Sequence, residues 1–215
     1  MRHHQLNMHP ENRSHLRTDL RTVFVEGVSF SVMVGIGESY LPAFVLAIGM
    51  GEVASGLIAT LPLVAGGILQ LAAPLGIRLA GSHRRWAVLC AATQACAFAP
   101  LVAGAVLGSI PGVFVFLVAV IYWASGMAIG PAWNVWVEKL IPAPVRTHYF
   151  ARRTSATNFG VLVGLLAGGL VLDRTSAGAQ PLFGFAVLFA VACTMRLTSA
   201  ALLGTQRQPE LSAMP

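Results

Sequence analysis

"VMVGIGESYLPAFVLAIG" (Val32 to Gly49) decides how this chain is read. Fifteen of its eighteen residues are apolar, glycine or the kinking Pro42; the other three are Glu38, Ser39 and Tyr40. A run of this length and character belongs in hydrocarbon, and a carboxylate in its middle asks for a reason. The rest of the 215-residue chain fits that reading. Apolar types make up 56% and charged types 10%, against the ~25% charged residues of soluble domains. The mean hydropathy of +0.72 agrees. These values predict an all-α, polytopic membrane protein.

Six apolar runs follow one another, at about 21–47, 53–75, 86–108, 112–137, 155–172 and 181–203. Each is near the ~20 residues that a spanning helix needs. Residues 1–20 and 204–215 read as polar tails, the first carrying His3, His4, His9 and His15 but no apolar signal-peptide core. Six spans put both tails on one side. That side also receives the loops 76–85 and 138–154, and so takes twelve of the fourteen Lys and Arg residues; the opposite side takes Arg174 alone. The positive-inside rule makes the basic side cytoplasmic. The expected location is the plasma membrane, the inner membrane of a bacterium. The net charge of +6 arises from these loops, so no nucleic-acid partner is expected. Cys90, Cys96 and Cys193 lie in apolar runs without metal or disulfide spacing and read as buried small hydrophobes. Neither a metal nor a cofactor is expected.

Counted from Thr22, Glu38 lies ~24 Å into the first helix, past the midplane. An ionised group there costs at least ~2.5 kcal/mol unless it meets water or a partner. At helical spacing Gly27, Ser31, Val34, Gly35, Pro42 and Val45 share its face, a small and partly polar stripe that predicts a cavity wall. Pro42 should bend the helix beside it. Glu26 lies only ~6 Å from the inner end, where an interfacial or structural ion pair is expected. Arg196, near the end of the sixth run, is expected to snorkel, with pairing to Glu26 as the deeper alternative. In "YWASGMAIGPAWNVWVEKL", Trp136 and Trp133 are expected in an aromatic belt, while Asn134 should face protein or water. The fifth run, "NFGVLVGLLAGGLVL", places Gly160, Gly164 and Gly168 four apart with Gly169 following, a surface for close helix packing.

These features together resemble the N-terminal six-helix half of the major facilitator superfamily (MFS) of transporters, over roughly residues 20–203. "GIRLAGSHRR" (Gly76–Arg85) lies between helices two and three, where the family carries Gly–x3–Asp–Arg–x–Gly–Arg–Lys/Arg. Gly76, Arg84 and Arg85 match, and Ala80 and Gly81 stand at the acidic and first basic positions. "GPAWNVWVEKLIPAPVRTHYFARR" (Gly130–Arg153) is similar to the end of helix four and the following loop in bacterial members. "GVLVGLLAGG" (Gly160–Gly169) is similar to the helix-five antiporter motif, with Leu165 in place of its proline.

The resemblance implies secondary transport of a small solute, proton-coupled or facilitated and tilted toward export. Binding would lie between two halves near the midplane. The implied coupling candidates are Glu38, Glu26, Tyr40, Asn134 and Arg196, and the gating-loop candidates are Gly76, Arg78, Arg84 and Arg85. Since the family pairs two six-helix halves, the partners implied are the lipid bilayer, the solute, and a second half supplied by another copy or a separate chain. The alternative expectation is a truncated, non-transporting half or an assembly partner. An enzyme is not expected: His3, His4, His9, His15, His83 and His148 all fall in tails or loops, so an intramembrane Ser–His pair cannot form.

Overall fold

The computed structural model describes residues 10–141, 143–176 and 182–206, with side chains from residue 17 and excepting those of 138–140. Among these residues every regular element is a helix. Six are long and apolar enough to cross a membrane: Arg17–Ala47, Gly51–Ala80, His83–Leu107, Gly112–Val137, Ala143–Thr175 and Phe183–Thr205. They are called the first to sixth spans below.

Each break in a span begins four residues before a proline, although Pro62 and Pro131 lie inside unbroken helices. A proline has no amide hydrogen for the carbonyl four residues back. The first span is helical over Pro10–Ile36, turns through a 3-10 stretch at Glu38–Tyr40, and resumes at Leu41–Ala47. Pro42 cannot bond the Glu38 carbonyl, and the Leu41 amide takes its place. The second span repeats the device: Pro74 leaves the Gln70 carbonyl to the Ala73 amide, producing the 3-10 turn Gln70–Ala72. In the third, Pro100 follows Cys96 by four residues, and the helix ends at Cys96 and restarts at Phe98.

The tails and long loops differ from expectation. Helix begins at Pro10, within the expected tail, and residues 1–9 lie outside the described part, with His3, His4 and His9. The expected 138–154 loop is nearly all helix, with the fourth helix reaching Leu140 and the fifth starting at Ala143. Hydropathy detects polarity, not helicity. The segment "APVRTHYFARR" is polar, yet its Pro144 sits in the first turn, where proline is tolerated. The 76–85 loop shrinks to Gly81–Ser82: Gly81 adopts φ +68°, and Ser82 Oγ accepts from the Arg85 amide at 3.3 Å. The sixth helix continues to Thr205, past the expected end at 203, and residues 207–215 lie outside the described part.

The first span packs chiefly on the fifth and sixth, the fourth chiefly on the second and third, and the third and sixth pack on each other. Exchanging each of the first three spans with the span three places later leaves this set of pairs unchanged. The closest junctions obey the same exchange. A Cβ on Gly164 of the fifth span would lie 2.7 Å from the Val32 carbonyl oxygen of the first, and one on Gly66 of the second would lie 2.9 Å from the Trp123 carbonyl carbon of the fourth. Among the described residues, the extensive contact of Leu41–Ala47 with the second span has no counterpart of like extent between the fourth and fifth spans.

A core of Phe44, Phe98, Phe185, Phe189 and Tyr122 fills one half of the bundle, with neighbouring ring centroids 5.1–6.4 Å apart. At the other end, Arg84 Nη1 donates to the Gln206 carbonyl, Tyr149 Oη to that of Leu20, and Arg153 Nε to that of Val23. These bonds gather the start of the first span, the end of the sixth and the two polar turns into one arginine-rich end. Lipid is as apolar as leucine, so close backbone approach and interhelical polar contacts hold such a bundle together.

Candidate functional site

Glu38 lies at the break in the first span and is partly exposed. Its Oε2 accepts a hydrogen bond from Tyr122 Oη of the fourth span at 2.7 Å, and Tyr122 itself is buried, with Met33 Sδ 3.2 Å from its hydroxyl. The expected stripe is not the wall around this group. Gly27 abuts Arg153, Ser31 abuts Gly160, and Gly35 abuts the Val161 carbonyl and Gly164. The small residues form the seam with the fifth span, because a small-residue stripe lets two backbones meet. Gly37, at φ −111° and ψ −66°, interrupts the helical phase, and Glu38 turns to the side of Met33 that the unbroken spacing sets opposite the stripe.

Glu26 is buried and holds an ion pair: Arg153 Nη2 lies 3.2 Å from its Oε2. Arg153 also lies over the Trp133 ring, 4.7 Å from the centroid. Ser199 Oγ donates to Glu26 Oε1 at 2.9 Å and accepts from Arg196 Nη1 at 2.7 Å. Arg196 therefore does not snorkel. It is 2% exposed, donates Nε to Gln94 Oε1 at 2.7 Å, and lies 4.7 Å from the Phe30 centroid. The helix runs on to Thr205, leaving Arg196 more than two turns from its end, too deep for the side chain to reach out. Ser199 stands between Arg196 and Glu26 in place of a direct pair.

The remaining candidates fall elsewhere. Tyr40 Oη donates to the Leu165 carbonyl and its ring covers Gly168, so it serves the seam with the fifth span and does not touch Glu38's partner. Gly160, Gly164 and Gly168 are buried in that seam, and Gly169 is exposed. Asn134 is exposed on the flank of the fourth helix and does not face protein, one of the two surroundings expected for it. Trp136 is buried, not in a belt, packed with Ala87, Ala91, Ile129 and Leu203. Gly76 is covered by the Trp86 ring, while Arg78 and Arg85 are exposed. Cys90 is buried as expected, but Cys96 is exposed and Cys193 half-buried, so an apolar run does not by itself enclose each of its residues. Among the described residues, no three His, Cys, Asp or Glu side chains gather as metal ligands do.

Four residues of the polar cluster had no role assigned from sequence: Tyr122, Gln94, Ser199 and Arg153. Gln94 carries a readable signal, a lone carboxamide inside "LCAATQACAFA". Ser199 is one turn after Arg196 and offers a weaker one. Arg153 counts as a loop charge until the fifth helix is extended backwards to include it. No family model, curated protein or solved structure matches the chain.

Proposed function

We propose that this chain is a six-helix half of a major-facilitator-type secondary transporter that moves a small solute, with Glu38 as the group that takes up and releases the coupling proton. One observation carries the reading. A carboxylate stands partly exposed at a proline-made break, between the first and fourth spans, with a buried tyrosine hydroxyl as its partner. Glu26, by contrast, is buried and held by an ion pair. A coupling acid needs one open side for the proton and one fixed partner to define its position.

The packing adds support. Two three-helix units that exchange without changing the main contacts fit the nested three-plus-three repeats of the superfamily's halves. In this reading the arginine-rich end is cytoplasmic, a second six-helix half supplies the opposing wall, and access alternates by rocking. Export remains the direction that the glycine run of the fifth span favours.

The test is proton flux in proteoliposomes holding a trapped pH dye, under an imposed pH gradient. A panel of amphiphilic cations, sugars and carboxylates is offered outside. At least one class should drive flux with the wild type, and Glu38→Gln should abolish it while thermal stability stays the same, since Gln mimics the protonated acid without releasing a proton. Flux retained by Glu38→Gln, or no flux with any class under either gradient, overturns the reading.

A further inference from the structure

Arg196 is the centre of a hydrogen-bond chain with a single direction. A guanidinium only donates. Its Nε donates to Gln94 Oε1, and the Gln94 amino group lies against Gly126 of the fourth span, one turn from Tyr122, where a Cβ on Gly126 would meet Gln94 Nε2. Tyr122 donates in turn to Glu38. On the other arm Nη1 donates to Ser199, and Ser199 donates to Glu26. The Ser199 arm runs unbroken from Arg196 to Glu26, and the Gln94 arm leads toward Tyr122, whose hydroxyl donates to Glu38. No carboxylate lies within ion-pairing distance of Arg196 among the described residues. A buried cation without such a partner is costly unless its charge is answered. Here it is answered through two relays, which polarise one another along the chain.

We infer that the Gln94 amino group completes the path to the Tyr122 hydroxyl, so that Arg196 joins Glu38 and Glu26 into one electrostatic unit and the charge at Glu26 is felt at Glu38 through Ser199 and Gln94. Arg196 is a positioning residue in this scheme. The ionisable groups around the unit are few. Arg196 meets Glu26 from the first span, Tyr122 from the fourth and Cys90 from the third; Glu26 meets Arg153 and Tyr149 from the fifth. A proton added to Glu38 removes the anion at the end of one arm. The arm through Ser199 then carries more of the cation's field toward Glu26, whose pair with Arg153 ties the first span to the fifth. The inference rests on Glu38 as the coupling acid, yet its test needs no transported solute.

The test is an infrared titration of the full chain in nanodiscs, following the carboxyl band that Glu38→Gln removes. Glu26→Gln should lower the Glu38 midpoint by about half a pH unit or more, because the cation is then answered by one carboxylate fewer. In a Gln94→Leu background, where the relay is cut, the same substitution should move the midpoint by less than half as much. Should Gln94→Leu fail to fold, Tyr122→Phe cuts the same arm. A midpoint that ignores Glu26→Gln overturns the inference, and so does one that moves by half as much or more without the relay, since the link would then be long-range field alone. Loss of proton flux with an intact midpoint coupling would sink the transport reading and leave the hub standing.

Discussion

The exchange between the two three-helix units makes a paired prediction about Gly164 and Gly66. Adding a methyl at Gly164 places it 2.7 Å from the Val32 oxygen, 3.0 Å from the Ile36 nitrogen and 3.1 Å from the Gly35 Cα. All three are backbone atoms, so no side chain can swing away. Ordinary contact needs ~3.4 Å or more, and the first and fifth spans must part by roughly half an ångström along the seam. At Gly66 the new methyl meets the Trp123 carbonyl carbon at 2.9 Å and the Ala124 nitrogen at 3.0 Å, which asks the same of the second and fourth spans. Overpacking of this kind costs about 1–3 kcal/mol. Alanine recovers up to ~1 kcal/mol of helix propensity over glycine, so the net loss is about 0–2 kcal/mol. At ~2–4 °C per kcal/mol for a chain of this size, each Gly→Ala variant should melt up to roughly 8 °C lower in detergent. Gly130, with nothing within 4 Å, and Gly67, with Met127 Cε at 3.9 Å, are the controls: their alanine variants should melt at or above the wild type. Gly164→Leu should be worse than Gly164→Ala and impair yield. If Gly164→Ala and Gly66→Ala melt with the controls, close approach does not hold the seams and the reasoning fails.

Three further outcomes follow from the polar contacts and the breaks. Arg153→Leu strips the partner from buried Glu26 and should cost about 3–5 kcal/mol; the double variant with Glu26→Gln should recover most of it, and a double variant no more stable than Arg153→Leu would refute the pair's importance. Cysteines placed at Arg84, Arg146 and Ser176 test the sidedness: an impermeant thiol reagent on intact cells should label Ser176 alone, and labelling of Arg84 would reverse the topology. Pro42→Ala returns an amide donor to the Glu38 carbonyl, so the 3-10 turn should relax toward α-helix and the Tyr122 bond should weaken. The Glu38 carboxyl band should move toward that of Tyr122→Phe, and an unmoved band would show that Pro42 is not what turns Glu38.

Six helices were legible because hydropathy reports the environment of a whole segment, and twenty residues average out the exceptions. The ends of the helices were not legible, because "APVRTHYFARR" is as helical as it is polar and a hydropathy window reads it as loop. The same error hid Arg153 from the site: a charge assigned to a loop has no fixed depth, and this one reaches back to Glu26.

Phase was the other source of error, and Glu38 shows why. The stripe Gly27–Ser31–Gly35 was read correctly as small and wrongly as open, since smallness suits a seam as well as a cavity. The break that detaches Glu38 from the stripe was itself foreseeable. A proline strips the carbonyl four residues back, here Glu38's own, and a 3-10 turn is the local remedy. Three residues at ~120° instead of ~100° advance the helix by roughly 60°, so Pro42 and Val45 cannot stay on the face of Gly27 and Gly35. Applied at Pro74 and Pro100, the same rule gives the other two breaks, whereas at Pro62 and Pro131 the helix runs on unbroken, so a proline marks where a break can fall and not that it does. What no single-helix rule supplies is the partner. Tyr122, Gln94 and Ser199 are ordinary residues until the first, third, fourth and sixth spans meet, and only that meeting sets Tyr122 on the partly exposed Glu38, Gln94 on the buried Arg196, and Ser199 between Arg196 and the buried Glu26.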